Sequence, residues 1–250
     1  MPRSYSNWFD RSYAAAAQPS DYHERSRERY CRTLAFAEAS VRLNPCMTVA
    51  EIGPGWLLPM VSVGVGCRTT AYGLVDDPAL KAALNTFGIE HIRWDLQEPL
   101  ETEKAQEHDL VFFLDVIEHI CRWPVELLSD MARLIRPGGY LVLTTVNLLR
   151  LSNRARILAG RSPFINPFVR TPDGRNHVRE YTMSELCDYL VRAGLEVRGA
   201  EFWGLHNERS PLPVRIVERI APSVRNYLAI VARKPGEHPP LVGEAGPSER

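Results

Sequence analysis

The chain has 250 residues, of which 45% are hydrophobic and 24% are charged, enough apolar material for one domain with a large core. Lysine plus arginine number 30, as do aspartate plus glutamate, so the formal net charge at pH 7 is zero. Such a chain has no overall field that would favour nucleic acid or a membrane surface as a partner.

The cysteines are odd in number and widely scattered: Cys31, Cys46, Cys67, Cys121 and Cys187. No pair has the spacing of a zinc ribbon or a redox motif, which favours a reduced setting. The first residues, Met-Pro-Arg-Ser-Tyr-Ser, lack the apolar core of a signal peptide. The most apolar run, 110–117, is too short to span a bilayer. We therefore expect a cytoplasmic protein without a membrane span.

The amino-terminal part, residues 1–44, is charged with apolar interruptions and is predicted to be a helical extension, with a helix over 21–43. Strand and helix patterns then alternate along the chain. Strands are predicted over 47–52, 69–75, 89–94, 109–114 and 140–145. Helices are predicted to begin at Leu58, Pro78 and Pro124, and residues 136–139 are predicted to form a turn.

The carboxyl-terminal half begins with an irregular stretch over 147–176. Thr182 and Glu185 then form a capping box for a helix that is predicted to end at Gly194. Two last strands are predicted over 195–202 and 227–232, as an antiparallel pair at the sheet edge.

Repeated strand–helix units place helices on both faces of a mostly parallel sheet. The predicted fold is therefore a three-layer, doubly wound α/β domain over residues 45–235. Residues 236–250 are rich in proline, glycine and glutamate and are predicted to form a disordered tail.

The most informative stretch, residues 49–55, reads Val-Ala-Glu-Ile-Gly-Pro-Gly. Its glycines let a ligand approach the main chain, and ligands bind at the carboxyl ends of parallel strands. A dinucleotide motif would need a small residue where this chain has Leu58, and the charge of Glu51 would repel a pyrophosphate. S-adenosylmethionine fits better, because it is cationic at sulfur and has hydroxyl and amine groups but no phosphate.

Three further stretches follow the first motif along the chain: Trp-Asp-Leu-Gln at 94–97, Asp-Leu-Val-Phe-Phe-Leu-Asp at 109–115 and Leu-Ile-Arg-Pro-Gly-Gly-Tyr at 134–140. Together with the first motif, they make the chain resemble the class I S-adenosylmethionine-dependent methyltransferases over about 45–235. The resemblance implies a Rossmann-like fold with a mostly parallel, seven-stranded sheet and an antiparallel edge strand. It also implies S-adenosylmethionine as the cofactor.

The resemblance further implies the residues that hold this cofactor, which are Glu51, Gly53, Pro54, Gly55, Asp95, Leu96, Leu114 and Asp115. The second motif departs from the family pattern, because Val75 stands where an acid usually binds the two ribose hydroxyls. We assign that role to Asp76, the next residue. Asp77 is expected instead to cap the helix that begins at Pro78.

Methyl transfer to a hydroxyl needs a group that removes the hydroxyl proton. His119, shortly after the fourth strand, and His177 are the candidate catalytic residues, although His119 could instead only orient its loop. Asp115, Glu118, His119 and His177 also resemble the metal site of ubiquinone-pathway O-methyltransferases and of small-RNA terminal 2′-O-methyltransferases. Because many metal-free relatives have the same residues, the sequence favours a site without a metal.

The region 147–182 interrupts the regular alternation and is expected to cover the acceptor. It contains seven arginines, in excess over Asp173 and Glu180: Arg150, Arg154, Arg156, Arg161, Arg170, Arg175 and Arg179. This excess suggests an anionic acceptor, since arginine matches phosphate and carboxylate geometry, although the arginines could also be a solvated surface. Phe164 and Phe168 are candidates to stack on the acceptor, and Tyr181 is expected to face it with His177.

The sequence therefore predicts an S-adenosylmethionine-dependent methyltransferase that O-methylates a small sugar-like, phosphorylated or natural-product acceptor. One alternative is RNA 2′-O-methylation, which the confinement of the basic excess to one region disfavours. Methylation at nitrogen or carbon is another, since the fold does not determine the acceptor atom. The last is a non-catalytic protein of the same fold that binds the cofactor or serves as a scaffold.

Overall fold

The computed structural model describes residues 4–16, 24–105, 107–164, 177–204 and 211–236. One sheet contains the strands β1 (Thr48–Ile52), β2 (Arg68–Tyr72), β3 (Glu90–Ile92), β4 (His108–Leu114), β5 (Ile135–Val146), β6 (Glu196–Trp203) and β7 (Tyr227–Arg233). Their spatial order is β3-β2-β1-β4-β5-β7-β6. Strands β1 to β5 pair in parallel, and β7 runs antiparallel between β5 and β6. This confirms the predicted fold class, with its antiparallel pair at one edge.

Helices cover both faces of the sheet. They are α1 (Tyr5–Ala15), α2 (Arg27–Glu38), α3 (Leu57–Val65), α4 (Pro78–Thr86), α5 (Pro124–Arg133), α6 (Leu151–Leu158), α7 (Met183–Arg192) and α8 (Leu212–Ile220). Helices α1 to α4 contribute to the hydrophobic core on one face, and α5 and α7 to the core on the other. Within the described ranges, no helix has the length and hydropathy needed to cross a bilayer.

Strand β4 lies at the centre of the sheet, and all seven of its residues are buried. Because side chains alternate along a strand, Leu110 and Phe112 enter one core, whereas Val111 and Phe113 enter the other. A strand buried on both faces is largely apolar, which explains the continuous apolar run that follows the two buried polar residues at its start, His108 and Asp109. The charged residues that follow it therefore emerge at its carboxyl end.

Local capping signals determine the helix bounds well. Asp77 caps α4 by accepting from the backbone N–H of Ala79 at 2.9 Å, and Pro78 occupies the first turn. The capping box between Thr182 and Glu185 is present at the start of α7. Both helices therefore begin where the sequence predicted.

The turn predicted over 136–139 was wrong, because these residues lie within β5. His108 pairs with Ile135 and Leu110 with Tyr140, so the extra residues form a bulge in the ladder. Gly138 has a φ of +83° there, and its N–H donates to the carbonyl of Lys234 at 3.0 Å. The local glycine signal indicated a turn, whereas a partner almost 100 residues away extends the strand.

Some predictions fall outside the described residues. These are the tail over 237–250 and residues 165–176 of the region expected to cover the acceptor, which include Phe168, Arg170 and Arg175. The proposed domain boundaries at 44, 45 and 235 stay predictions.

The contact between α1 and α3 offers a test of the fold beside the first motif. A Cβ added at Gly64 in α3 would overlap the indole of Trp8 in α1. We expect Gly64→Ala to lower the free energy of unfolding in urea by about 1–3 kcal/mol, the usual cost of overpacking. This loss is expected even though alanine is the better helix former by about 1 kcal/mol. Gly199→Ala in β6, where a Cβ meets nothing within 4 Å, is the control and should not destabilise.

Candidate active site

A cavity of about 520 Å³ lies at the carboxyl ends of β1 and β4 and beside the loop that follows β2. Its volume is typical of a site for a drug-sized ligand. Helix α2 closes one side of it. The cavity is lined by Arg29, Tyr30, Glu51, Gly53, Pro54, Gly55, Trp56, Leu74, Asp77, Leu80, Leu114, Asp115, Val116 and His119.

The loop after β1 exposes its backbone to this cavity. Gly53 has a φ of +66°, and a Cβ there would lie 2.5 Å from Cγ2 of Val116. At Gly55, a Cβ would lie 3.0 Å from the hydroxyl of Tyr30 and 3.4 Å from Oε1 of Glu51. Gly53 therefore needs glycine, and a side chain at Gly55 would crowd Tyr30 beside the cavity that both glycines line.

Glu51 is an ionisable group inside this cavity with only 2% of its surface exposed. Burial raises its pKa to about 7, although hydrogen bonds from the backbone of Gly55 and Leu58 oppose the shift. Its Oε2 atom accepts no hydrogen bond within the described residues. A buried carboxylate oxygen without a donor is costly, so the site suits a ligand that supplies a hydroxyl or ammonium donor.

Asp115 follows β4 in a strained conformation, with a φ of 53° that is rare for a residue other than glycine. Its carboxylate pairs with Arg29 of α2 and accepts from the hydroxyl of Thr144 at 2.9 Å. Arg29 therefore holds the carboxylate of Asp115 in position at the cavity. Arg29 was not predicted from the sequence, because a single arginine within a charged helix has no recognisable motif.

The two acids after β2 have different places in the structure. Asp77 lines the cavity while it caps α4. Asp76, to which we assigned the ribose, is exposed and is not among the cavity-lining residues. Of the two acids, Asp77 lines the cavity and Asp76 does not, and the assignment of Asp76 to the ribose stays a prediction.

Asp95 and Leu96 lie close to the site but do not line the cavity. The backbone N–H of Trp94 donates to the carbonyl of Gly73 at 3.4 Å, which places this segment beside the end of β2. Asp95 is exposed and accepts from the backbone N–H of Gln97 at 3.0 Å, while Leu96 is buried. Their assignment to the adenine stays a prediction.

Two histidines meet at the cavity. His119 ends a short 3-10 helix, Ile117–His119, and lines the cavity. The ring of His177 lies against it edge to face, with the ring centroids 4.9 Å apart. His177 is not among the cavity-lining residues, so the structure brings the two predicted catalytic residues together but exposes only His119 to the ligand space.

A buried carboxylate orients His177. Nδ1 of His177 lies 3.2 Å from Oε1 of Glu180, whose other oxygen takes Arg150 and Asn153 as donors. Burial alone would raise the pKa of Glu180, but these hydrogen bonds outweigh it and lower the pKa to about 2. The hydrogen bond to Glu180 in turn raises the pKa of His177. The imidazole of His177 is therefore held in place, with its charged form favoured.

Glu118 connects the two histidine segments. Its side chain is 1% exposed and accepts from the hydroxyl of Thr145 at 2.8 Å. Burial and then the charge of Asp115 raise its pKa to about 8. Its backbone carbonyl accepts from the N–H groups of Val178 at 2.7 Å and Arg179 at 3.2 Å. This carbonyl thereby fixes the segment of His177 against the segment of His119.

Three of the four candidate metal ligands come together in the structure. Glu118, His119 and His177 each place one ligand atom within 4.8 Å of the others. Asp115 is not in this cluster, because it turns towards Arg29 and Thr144. One carboxylate and two imidazoles form a donor set that suits a divalent transition metal.

The described arginines of 147–182 are largely engaged in structure. Arg150 pairs with Glu180, and Arg154 donates to the carbonyl of Leu149 at 2.7 Å. Arg179 pairs with Glu185, and its guanidinium lies over the ring of Tyr181. Arg156 and Arg161 are exposed. This arrangement supports the interpretation of the arginines as structural and surface groups rather than as one anion site.

Tyr181 was expected to face the acceptor, which was wrong. The side chain is 1% exposed and belongs to the core beneath α7. Burial raises the pKa of its hydroxyl to about 12. Phe164, by contrast, is half exposed.

Comparison with known proteins gives a consistent result. The profile of a family described as a methyltransferase domain matches residues 22–199. A ubiquinone biosynthesis O-methyltransferase of Xanthomonas axonopodis pv. citri (strain 306) is 27% identical over 164 residues, which are 63% of this chain and 66% of that protein. The match thus spans slightly less than two thirds of that relative.

Solved structures with this fold differ in their chemistry. The N-methyltransferase NodS of Bradyrhizobium japonicum WM9, in complex with S-adenosyl-L-homocysteine, has a TM-score of 0.55 at 16% identity and covers 92% of this chain and 99% of its own. The [4+2]-cyclase SpnF has a TM-score of 0.54 at 15% identity, with 82% and 81% covered. At such identities the likeness shows the fold alone.

Proposed function

Because this chain belongs to the class I S-adenosylmethionine-dependent methyltransferases, we propose that it methylates a hydroxyl oxygen of a small acceptor at the cavity beside Glu51. S-adenosylmethionine supplies an electrophilic methyl group on a sulfonium when it is bound. The residues present fit this cofactor, because Oε2 of Glu51 needs a donor and the loop of Gly53 and Gly55 exposes its backbone. The protein then has to align the acceptor, exclude water and remove the acceptor proton.

The proposed cofactor contacts come from one edge of the sheet. Glu51 and the loop Gly53-Pro54-Gly55 would hold the methionine end and the ribose, and Leu114 and Asp115 would border the same space. Asp77 is proposed as the ribose acid in preference to Asp76, because it lines the cavity. Asp95 and Leu96 are proposed for the adenine.

His119 is the proposed general base for the acceptor hydroxyl. The observation that supports this role is its position, since His119 lines the same cavity as Glu51. His177 is proposed as a positioning residue, because it packs on the His119 ring and is held by Glu180. A positioned base typically accelerates such a proton transfer by about 10²–10⁴-fold.

The acceptor atom is proposed from the same residues. A hydroxyl is a weak nucleophile until its proton is removed, whereas an amine in its neutral form attacks without a base, so a histidine that lines the cavity favours oxygen. The relative from Xanthomonas is named as an O-methyltransferase, which agrees with this choice. We propose a small sugar-like, phosphorylated or natural-product alcohol or phenol as the acceptor.

Product trapping tests this proposal directly. The purified protein would be incubated with S-adenosylmethionine labelled in its methyl group and with a panel of sugar, phosphorylated and phenolic acceptors, and labelled products would be identified by mass spectrometry. An O-methylated product is expected. Products methylated only at nitrogen would contradict the choice of oxygen, and the absence of calorimetric binding of S-adenosylhomocysteine would contradict the cofactor site.

A divalent metal ion is the second candidate for lowering the barrier to proton loss. The cluster of Glu118, His119 and His177 favours it, and Glu180 would orient His177 as carboxylates orient metal-bound histidines. A metal there would polarise the acceptor hydroxyl. As a metal ligand Glu118 would have to be a carboxylate, whereas His119 acting as a general base does not require a charge on Glu118.

Chelation and one substitution separate the base from the metal. With His119 as base, activity is expected to survive exhaustive chelation, and Glu118→Gln should keep kcat within about threefold, because glutamine still accepts from Thr145. A metal-dependent enzyme would lose activity after chelation and recover it with added Mg²⁺, Mn²⁺ or Zn²⁺. It would also lose about 10–100-fold or more in Glu118→Gln, since ligand changes typically cost at least as much as changes around the ligands.

A further inference from the structure

A second cavity, of about 430 Å³, is lined by four arginines from three separate parts of the chain. Arg32 comes from α2, Arg215 and Arg219 from α8, and Arg225 from the segment before β7. Glu218 is the one acid among its described lining residues. This arginine cavity therefore holds an excess of positive charge in a chain of zero net charge.

Two of the arginines are fixed in place by the fold. Arg32 lies with its guanidinium carbon 4.8 Å from the ring centroid of Trp203, which is fully buried. Arg225 donates from Nε to the carbonyl of Glu218 at 3.1 Å and from Nη1 to that of Phe202 at 2.9 Å. Burial lowers the pKa of Arg32; the charge of Glu201 opposes this shift, and that of Arg225 adds to it.

The other two arginines are exposed on one face of α8. Arg215 and Arg219 are four residues apart, a spacing at which like charges on a helix repel each other. Within the described residues, none of the four arginines forms an ion pair with a carboxylate. An anion in the cavity would remove this repulsion, and arginine can bind phosphate or carboxylate with two parallel hydrogen bonds.

The arginine cavity lies on the same edge of the sheet as the cavity of Glu51. Strand β7 is antiparallel to both β5 and β6, so β6 runs in the same direction as β5 and its parallel neighbour β4. Trp203 is the last residue of β6 and therefore lies at the same edge as the carboxyl end of β4. Helix α2 contributes Arg29 to one cavity and Arg32, one turn later, to the other. Leu212 and Ile216 add an apolar wall beside the arginines.

We propose that the arginine cavity binds an anionic group of the acceptor, a phosphate or a carboxylate, whose attached skeleton is apolar. This inference rests on the proposed function and places the anion site on α2, α8 and Arg225 rather than on the arginines of 147–182. The anchored group would hold the acceptor while its hydroxyl reaches the cavity lined by His119.

Calorimetry on the full chain tests the anion site without knowledge of the acceptor. Inorganic phosphate and pyrophosphate would be titrated into the protein saturated with S-adenosylhomocysteine. One site is expected, and Arg215→Gln and Arg32→Gln should each weaken it about tenfold or more, the effect of losing one charge-assisted hydrogen bond. Arg156→Gln removes the same charge from an exposed position outside both cavities and should leave binding unchanged.

Several results would overturn the proposal. The first is that neither phosphate nor pyrophosphate binds to the wild-type protein, and the second is that Arg156→Gln weakens binding as much as the other variants do. The third is binding to phosphatidylglycerol vesicles but not to free phosphates, which would make the surface a membrane contact. Thermal melting of each variant would show whether it is folded. If Arg32→Gln is unfolded, the phosphate affinity of Arg215→Gln, which changes an exposed residue, decides whether the proposal holds. Affinity for S-adenosylhomocysteine is measured separately, so loss of cofactor binding with retained phosphate binding would refute the proposed function and not the anion site.

Discussion

Replacing His119 with asparagine is expected to lower kcat for O-methylation by about 10²–10⁴-fold, the usual contribution of a positioned general base. Asparagine is polar and has the same side-chain branching as histidine up to Cγ, but its amide does not act as a base. His119 lines the same cavity as Glu51, but Glu51 is the buried carboxylate proposed to bind the cofactor. Affinity for S-adenosylhomocysteine should therefore stay within about threefold in His119→Asn. Steady-state kinetics and calorimetry on the same preparation measure the two quantities.

Two further variants make this expectation specific. His177→Asn should lose about tenfold, because it removes the ring that packs on His119 but not the base itself. Cys121→Ser, exposed and two residues beyond His119, should be close to wild type. A His119→Asn enzyme within about fivefold of wild type would refute the base.

Replacing Glu51 with glutamine is expected to weaken binding of S-adenosylhomocysteine by about 10–100-fold, because hydrogen bonds to a charged group contribute about 1.5–3 kcal/mol each. In the wild-type protein this affinity should rise with pH up to about 7, since burial raises the pKa of Glu51 to that value and the ionised carboxylate is the better acceptor. Below the pKa the affinity should approach a tenfold loss per pH unit. Calorimetry from pH 5.5 to pH 8.5 measures both effects.

Asp76→Asn is the matched control for Glu51→Gln. It also removes a carboxylate near the end of a strand, but from an exposed position that does not line the cavity. Its affinity and pH dependence should equal those of the wild type. A pH dependence that persists unchanged in Glu51→Gln would show that another group controls cofactor binding.

Stability of the ligand-free protein should change with pH in the opposite sense. The pKa of Glu51 rises from 4.5 to about 7 on folding, so the folded chain binds more protons than the unfolded chain between these values. The contribution of this residue to the free energy of unfolding therefore falls as pH rises through that window. Glutamine at this position should remove that part of the dependence.

Those parts of the fold that local chemistry determines were predictable. The helix from Pro78 to Thr86 has an acid cap before it and a proline at its start, and it begins where the sequence predicted. The bulge at 136–139 was not, because its strand character depends on pairing with β4 and on the carbonyl of Lys234. Local sequence does not contain such a partner.

The same distinction applies to the site. Glu51, Gly53 and Gly55 lie in one short motif, and the structure places all three on the cavity. Arg29 and Tyr30 come from a helix more than 20 residues earlier, and only the packing of α2 brings them there. Asp76 and Asp77 are neighbours in the sequence, but Asp77, which caps α4, lines the cavity and Asp76 does not.

The anion site illustrates the limit further. The sequence predicted an anionic acceptor at residues 147–182, where seven arginines are close together in the chain. The structure pairs two of these, Arg150 and Arg179, with acids, and it brings together another group of arginines at residues 32, 215, 219 and 225. Proximity in sequence and proximity in space are thus different measures of a charge cluster.

The backbone carbonyl of Glu118 has a consequence for how order at the site can be monitored. It accepts from two successive amides, Val178 and Arg179, in a segment where the side chain of Val178 is itself 54% exposed. Surface amides exchange rapidly with solvent deuterium unless a hydrogen bond protects them. The exchange rates of these two amides, read by mass spectrometry or NMR, therefore report whether His177 is docked on His119, without substrate, cofactor or turnover.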